Sequence, residues 1–207
     1  EPEPFMNNRK MFCPRGKMLG GSSSHNGMVH VRGNAKDFDN WAQLGLTNWN
    51  YEKVLPYFKK SESIEGLDKE YRNNSGPLKL SRSPNGNILT QVYLDAAQQA
   101  GYQINNDMNG KNQEGFGLMD TTIYKGRRQS TSVTYLHPII HRSNLKVLTN
   151  VTVNKIIFEN KRATGVECNI NGKSNKFYSK QEILLSAGAI NSPHLLMLSG
   201  IGPENEL

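Results

Sequence analysis

Glycine and short polar residues cluster between Arg15 and Gly33, the stretch of the chain best suited to hold a ligand against its backbone. Gly16, Gly20, Gly21 and Gly27 lack the Cβ atom that restricts other residues, so the backbone can turn sharply there. Four short side chains can cap a helix or bind an anion, namely Ser22, Ser23, Ser24 and Asn26. Successive N–H groups in such a loop form a concave donor surface, and a helix that follows adds a preference for negative charge. The pattern predicts a loop that binds a phosphate-bearing cofactor.

A run of glycine and serine can instead be a flexible turn, which is the common interpretation of such a run taken alone. Two observations favour the binding loop. The run is flanked by apolar residues at Met18, Leu19, Met28 and Val29, and it is neither long nor repetitive.

A second segment with nucleotide-site character lies near the end of the sequence. Residues 183–189 have the pattern of an apolar strand that enters a turn of small residues. Ser192 can then cap a helix that has Pro193 in its first turn and continues to Leu198. A strand, a tight turn and a helix in this order are typical of nucleotide-binding sites.

Both segments resemble signatures of the glucose–methanol–choline (GMC) family of FAD-dependent oxidoreductases, particularly its insect glucose-dehydrogenase-like branch. The first resemblance runs from Arg15 to Gly33 and continues through Arg32–Trp41 and Leu55–Glu62. The second covers Gly188–Gly202, and the stretch Gly126–Pro138 resembles a further family segment. The matches occur in the family's order, and the segments between them also look family-like, so the resemblance covers nearly the whole chain.

The resemblance implies a mixed α/β architecture, namely the FAD/NAD(P)-binding Rossmann-like GMC fold with a substrate domain. It implies an FAD-binding region at 1–62, a connecting part of the substrate domain at 63–138, and an FAD-binding region with a β-meander at 139–207. The family's opening βαβ unit carries a G-x-G-x-x-G, which this sequence lacks. We therefore expect a central fragment, incomplete at both ends.

The family's cofactor contacts carry over to positions in both signatures. The residues implied to bind FAD are Leu19, Gly20, Gly21, Ser22, Ser23, Asn26, Gly27, Met28, Val29, Val153, Ala187 and Gly188. Backbone amides of the first loop would face the pyrophosphate and the flavin, and the main chain of Val153 would pair with adenine. Without the resemblance, Val153 would be interpreted as an edge or core residue, and Ala187 and Gly188 as helix–strand packing.

The five histidines are assigned no catalytic role. His25 and His30 depart from the family pattern, which has an apolar residue at the first position and an aromatic residue at the second. The other histidines, His137, His141 and His194, lack the spacing of a metal site. The resemblance implies a catalytic histidine base beyond Leu207, and no metal is predicted.

The reaction implied by the resemblance is oxidation of an alcohol carbon, with hydride transfer to the flavin. The implied partners are an alcohol or sugar, with glucose suggested by the branch, and a quinone or another electron acceptor. An FAD-containing hydroxynitrile lyase of the same fold and a non-catalytic FAD-fold protein remain alternatives. The branch also favours secretion, and we expect the isolated fragment to be inactive.

Composition and charge do not favour nucleic-acid binding or a membrane-spanning protein. The net charge is +7, but the basic residues are scattered and the densest cluster, Lys125–Arg128, is typical of a solvated turn, so nucleic-acid binding is not predicted. No apolar run approaches the roughly 20 residues of a membrane span. Cys13 and Cys168 can pair or stay free, and the sequons at Asn73 and Asn150 permit secretion without showing it.

Local patterns predict the elements around these segments. They indicate an extended lead-in at 1–14, core-facing Phe38, Trp41 and Ala42 in the first helix, and a surface excursion at 63–87. The predicted helices are 34–45, from Pro56 to Glu62, 88–99 with Val92 and Ala96 on one side, a piece from Ser130 stopped by Pro138, and 192–198. The predicted strands are 78–81, 116–124, 145–149, 153–158, 163–170, 176–178 and 182–186, with a hairpin at Asn171-Gly172.

Overall fold

The computed structural model describes residues 2–82 and 87–207 of the 207-residue chain. Pro84 and Gly86, which belong to the surface excursion predicted from the sequence, lie outside the described residues. The chain divides into two compact units, 1–145 and 146–207, and each is described by itself below.

The first unit combines three helices with short strands. Its helices are α1 (Ala35–Gln43), α2 (Tyr51–Ser61) and α3 (Ile88–Gln99). Its strands are β1 (Pro2–Glu3), β2 (Arg9–Lys10), β3 (Val29–His30), β4 (Glu62–Ser63), β5 (Leu78–Lys79), β6 (Ser81–Arg82), β7 (Asp120–Thr121), β8 (Ile123–Tyr124) and β9 (Arg127–Arg128). β7 lies between β3 and β6 in a three-stranded antiparallel sheet, β4 pairs with β5 in parallel, and β1–β2 and β8–β9 are antiparallel pairs.

Side-chain caps fix where the helices of this unit begin. Asn34 and Asp37 form a capping box at the start of α1, as the sequence predicts. α2 begins at Tyr51 rather than at the predicted Pro56, because the Asn50 side chain accepts the Lys53 N–H and nucleates the helix one turn earlier. Pro56 therefore lies inside α2, in a helix already started by its cap.

The interior of the first unit is held by charge as much as by apolar contact. Arg72 donates from Nε to Glu62 Oε1 (2.9 Å), from Nη2 to Asp120 Oδ2 (2.7 Å) and from Nη1 to Asp107. Arg32 Nη2 lies 2.7 Å from the same Glu62 oxygen. Glu62 is fully buried and Arg72 is 2 % exposed, so these groups form an internal ion network around Arg72.

The apolar faces predicted for two helices are less buried than expected. In α1, Phe38 packs edge-on against Trp41 and Phe58, but Trp41 is 44 % exposed. In α3 only Ala97 is buried, and Val92 is 55 % exposed. The helical ends are correct at 88–99, whereas the predicted core faces are wrong for these side chains.

The second unit is a β-meander with one helix. Its strands are β10 (Val151–Glu159), β11 (Arg162–Ile170) and β12 (Lys173–Tyr178), in antiparallel order β10-β11-β12, and its helix is α4 (Asn191–Leu198). The β11–β12 hairpin turns at Asn171 and Gly172, both with positive φ, as the Asn-Gly pair predicts. Ile156 donates its N–H to Ser199 Oγ (2.8 Å), which ties β10 to the end of α4.

Several predicted strands are absent or broken in the described residues. Residues 145–149 and 182–186 form no strand, and 116–124 is divided into an isolated bridge at Phe116 and the short β7 and β8. A strand needs a neighbour for its backbone groups, and no ladder partner for 182–186 occurs within its own unit.

Other local predictions need smaller corrections. The predicted extended lead-in contains the β1–β2 pair and a 3₁₀ turn at Pro4–Met6. The piece predicted from Ser130 is a π-helical turn at Ser132–Leu136, and a 3₁₀ turn at His137–Ile139 carries it past Pro138. Proline fits that first turn because its missing N–H is not needed there.

Candidate cofactor-binding loop

The loop from Gly16 to Val29, called here the glycine loop, contains a 3₁₀ turn at Gly21–Ser24. Gly20 and Gly21 have φ values of 88° and 52°, in the left-handed region that favours glycine. A Cβ atom at Gly20 would approach Ser24 and Ser132, so this position has no room for a side chain. At Gly21 and Gly27, in contrast, an added Cβ would meet nothing within 4 Å.

The three serine hydroxyls of the glycine loop are used within the protein. Ser22 Oγ accepts from Gly16 N–H (3.1 Å), and Ser24 Oγ donates to the Leu19 carbonyl (2.9 Å). Ser23 Oγ donates to the Gly20 carbonyl and accepts from Thr131 N–H (2.9 Å). Ser23 and Ser24 therefore use their O–H donors to fold the loop, whereas Ser22 Oγ only accepts and its O–H has no acceptor in the described residues.

Residues 120–132, called here the clamp, follow the glycine loop in antiparallel order. β3 pairs with β7, and Thr122 donates its N–H to the Met28 carbonyl (2.7 Å). Further along, Thr131 Oγ1 donates to the Gly20 carbonyl (3.3 Å). The clamp thus supports the loop from His30 back to Gly20, although about a hundred residues separate the two segments in sequence.

Arg128 makes the densest set of contacts between the clamp and the glycine loop. Its Nη1 donates to the carbonyl oxygens of Asn26 (2.7 Å) and Ser23 (3.2 Å), and to Asn26 Oδ1 (2.8 Å). Asn26 Oδ1 also accepts the Met28 N–H (3.1 Å). The sequence interpretation of Lys125–Arg128 as a solvated turn is therefore wrong for Arg128. Neighbouring residues of a strand alternate in direction, so Arg127 remains exposed while Arg128 reaches the loop.

Several backbone amides of the glycine loop have no acceptor in the described part of the chain, among them those of Leu19, Gly20 and Gly27. In nucleotide sites, anions and carbonyl oxygens are held by backbone amides that have no protein acceptor. Such amides lie beside space that is open enough for a side chain. The donor set and the open space at Gly21 and Gly27 fit a phosphate-bearing cofactor.

The predicted site residues fall in both units. The structure brings nine together in one continuous loop: Leu19, Gly20, Gly21, Ser22, Ser23, Asn26, Gly27, Met28 and Val29. Val153, Ala187 and Gly188 lie in the second unit. Val153 is on β10, an edge strand of the meander, and is 38 % exposed. An edge strand leaves backbone donors and acceptors for a ligand to use.

The turn at Ala187 and Gly188 is built by local bonds. Ala187 donates its N–H to Ser192 Oγ (3.1 Å), and Ser192 donates its N–H to the Gly188 carbonyl (3.0 Å). Gly188 has a φ of 94° and open space around it. Ser192 is the second residue of α4, and its side chain closes the preceding turn where the sequence suggested a helix cap.

The ion network connects to the end of the glycine loop through His30 and Arg32. His30 Nε2 lies 3.6 Å from Glu62 Oε2, and Asn109 accepts the Arg32 N–H (2.7 Å) while donating to the His30 carbonyl (3.0 Å). Burial alone would raise the pKa of Glu62, but His30, Arg72 and the charge of Arg32 outweigh it and lower the pKa from 4.5 to about 2. Glu62 is therefore a carboxylate at any ordinary pH.

His25 donates its N–H to the Ser22 carbonyl (3.1 Å) and is exposed, which agrees with a tolerated variant at the loop surface. Cys13 is exposed and Cys168 is fully buried, and both are free thiols. None of the helices in 2–82 and 87–207 has both the length and the apolar character needed to span a bilayer.

Sequence reasoning missed Arg128, Thr131 and the network around Arg72 as residues that shape the site. The resemblance at 126–138 pointed to the clamp segment without giving a reason for its side chains. The pairing of β3 with β7 and the hydrogen bonds of Arg128 and Thr131 show that the clamp lies against the glycine loop.

Comparisons with known proteins identify the family of the chain. The sequence profile of the family described as GMC oxidoreductase matches residues 4–207. The chain is 48 % identical over 207 residues to an oxygen-dependent choline dehydrogenase from Sinorhizobium fredii, covering 100 % of the chain and 38 % of that protein. It is also 48 % identical to the mitochondrial choline dehydrogenase of Homo sapiens, covering 100 % of the chain and 35 % of that protein. The chain thus spans little more than a third of the length of these relatives.

Solved structures give the same result for the fold. An FAD-dependent oxidoreductase from Chaetomium thermophilum matches with a TM-score of 0.90 and 28 % identity, over 99 % of this chain and 38 % of that one. A formate oxidase variant from Aspergillus oryzae, studied for its FAD modification, matches with a TM-score of 0.79 and 27 % identity, over 92 % and 34 %. The predicted fold class is confirmed, and FAD is confirmed as the family's cofactor, whereas the relatives do not single out the insect glucose-dehydrogenase-like branch. The chain belongs to the GMC oxidoreductases, a family of FAD-dependent enzymes.

Proposed function

We propose that this chain forms the part of a GMC oxidoreductase that holds FAD through the glycine loop, and that the whole protein oxidises a small alcohol. One observation carries the cofactor assignment. The loop presents the amides of Leu19, Gly20 and Gly27 without acceptors in the described part of the chain, while the O–H donors of Ser23 and Ser24 are used within the loop. Such a loop offers donors to a phosphate or carbonyl oxygen and leaves space beside them.

In this proposal the FAD-binding residues of the second unit are Val153, Ala187 and Gly188. The free edge of β10 supplies backbone groups suited to an adenine edge, and the open turn at Gly188 permits close approach. The division into FAD-binding segments at 1–62 and 139–207, with a substrate-domain segment at 63–138, remains part of the proposal.

Bound FAD supplies the hydride acceptor for oxidation of the alcohol carbon. The residues of this chain orient the cofactor and fix the loop against it. Choline is the first substrate to test, because choline dehydrogenases are 48 % identical to the chain. Glucose stays in the panel as the substrate suggested by the sequence resemblance, and the electron acceptor is a quinone, oxygen or another acceptor.

The experiment uses the full-length protein purified from its own source. Native mass spectrometry should give a mass above 23.2 kDa with an FAD adduct. Anaerobic addition of choline should then bleach the oxidised-flavin absorbance, with glucose and a tertiary alcohol, which has no hydride to transfer, as comparisons. Bound flavin that no primary or secondary alcohol reduces would contradict the oxidoreductase assignment, and a purified protein without affinity for FAD would contradict the cofactor assignment.

Gly27→Val tests the location of the cofactor. An added Cβ at this position meets nothing within 4 Å, so we expect the apoprotein to unfold close to the wild-type urea midpoint. The valine side chain would fill the space proposed for FAD. We therefore expect the dissociation constant for FAD to rise at least about tenfold, which corresponds to the loss of one favourable hydrogen-bonded contact. Unchanged FAD affinity would place the cofactor elsewhere.

A further inference from the structure

The peptide unit between Asn26 and Gly27 has one end fixed by the clamp and the other end free. Its carbonyl oxygen accepts from Arg128 Nη1 at 2.7 Å. Its N–H, on Gly27, has no acceptor in the described residues. The C=O and N–H of a trans peptide point in opposite directions. Arg128 therefore determines the direction of the Gly27 N–H without touching whatever that N–H binds.

The charge of Arg128 strengthens the same donor. A guanidinium at the carbonyl oxygen draws electron density from the amide nitrogen, and hydrogen bonds in such chains polarise one another. The Ser23 carbonyl also accepts from Nη1 (3.2 Å), so two peptide units of the loop are turned toward the same cation. The Asn26 side chain adds a third bond to Nη1 (2.8 Å), which prevents the loop from rotating about this contact.

We propose that Arg128 is a positioning residue, which aims the Gly27 N–H at an acceptor oxygen of bound FAD through the Asn26–Gly27 peptide. The inference rests on the proposed binding of FAD by the glycine loop. The acceptor is either a pyrophosphate oxygen or an oxygen of the flavin ring, since both take an N–H donor. Arg128 itself lies behind the peptide and does not contact the cofactor.

The test compares Arg128→Gln, Arg128→Lys and Arg127→Gln in the full-length protein. Arg127 is the adjacent arginine of the same hairpin, is exposed and donates no hydrogen bond to the glycine loop, so its substitution controls for a loss of charge near the site. Each variant is titrated with FAD as apoprotein, and its urea unfolding midpoint, flavin absorbance spectrum and reduction potential are recorded.

We expect Arg128→Gln to raise the FAD dissociation constant about tenfold, as for loss of a charge-assisted bond, while Arg127→Gln stays near wild type. Arg128→Lys keeps a cation that can donate to the Asn26 carbonyl and should recover most of the affinity. If the acceptor is a pyrophosphate oxygen, the spectrum and potential of the bound flavin stay unchanged in Arg128→Gln. If it is a flavin oxygen, the absorbance maximum and the potential shift as well.

Two results would overturn the inference. Arg128→Gln could bind FAD with the affinity, spectrum and potential of Arg127→Gln. Alternatively, Arg128→Gln and Arg128→Lys could lose affinity equally, in step with equal decreases in the urea midpoint, which would make Arg128 a folding residue only. Either result leaves the proposed function standing as long as the wild-type protein binds FAD, whereas failure of the wild type to bind FAD would contradict the proposed function itself.

Discussion

The glycine loop of the first unit and the turn at Ala187–Ser192 of the second both match family signatures, yet they are stabilised in different ways. The glycine loop is bonded along its length to the clamp, about a hundred residues away in sequence. The turn at Ala187–Ser192 is closed by two bonds among its own residues. A signature therefore indicates which backbone conformation is needed. Whether that conformation is stabilised by distant residues or only by local bonds depends on the surrounding chain.

The same contrast holds for charge. The first unit buries a network in which Arg72 bonds three carboxylates. The ion pair of the meander, Lys155 with Glu167, has its charged atoms 3.7 Å apart and its lysine side chain half exposed. Exposed pairs contribute at most about 1 kcal/mol, whereas removal of one partner from a buried network leaves uncompensated charges in the interior.

Arg72→Met should cause the largest loss of stability, because it removes the cation at the centre of the buried network. The variant leaves Glu62, Asp107 and Asp120 without their shared cation and should lower the free energy of unfolding by about 3–5 kcal/mol. Lys155→Met is the control and should cost less than about 1 kcal/mol. Urea denaturation of the full-length apoproteins measures both. Equal losses would mean that the buried network contributes no more than a surface pair.

Acid should weaken the first unit. The pKa of Glu62 is lowered from 4.5 to about 2, so in acid the unfolded chain takes up a proton before the folded protein does. The stabilisation is complete above pH 4.5, falls as the pH decreases, and is lost below about pH 2. The shift corresponds to about 3 kcal/mol, counted as 1.36 kcal/mol per pKa unit.

Glu62→Gln isolates that contribution. The variant cannot ionise at this position, so its unfolding free energy should be lower at pH 7 and should fall less steeply between pH 4.5 and 2 than that of the wild type. Urea midpoints at several pH values measure the difference. Parallel pH profiles for the two proteins would show that Glu62 is not the group responsible.

Elements governed by neighbouring residues could be predicted from the sequence. α3 has the predicted ends because Asn87 caps it and Gly101 adopts a φ of 88° just after it. The meander follows from β-branched residues and the Asn171-Gly172 turn. The backbone amides of the glycine loop could be proposed as ligand donors because its glycines and short polar residues are adjacent in sequence.

Elements that depend on distant partners could not be predicted. An arginine such as Arg72 looks like a surface residue in the sequence, and its burial depends on Glu62, Asp107 and Asp120, which come from separate segments. Arg128 was missed for the same reason, because its target carbonyls belong to a loop about a hundred residues earlier. The apolar run at 182–186 was assigned as a strand from composition, but a strand also requires a partner.

Substituting one glycine in each signature should change the free energy of unfolding least, and it compares the two turns directly. Gly20 and Gly188 both have positive φ, at 88° and 94°, so alanine at either position incurs a backbone penalty of about 1–2 kcal/mol. Alanine at Gly20 must also displace Ser24 and press on Ser132 of the clamp, whereas alanine at Gly188 meets open space. We therefore expect Gly20→Ala to lower the free energy of unfolding of the apoprotein by about 1 kcal/mol more than Gly188→Ala does, which is the lower end of the cost of overpacking. Urea denaturation of the two variants measures the difference. A larger loss in Gly188→Ala would mean that the second turn, like the glycine loop, is held by residues beyond its own local bonds.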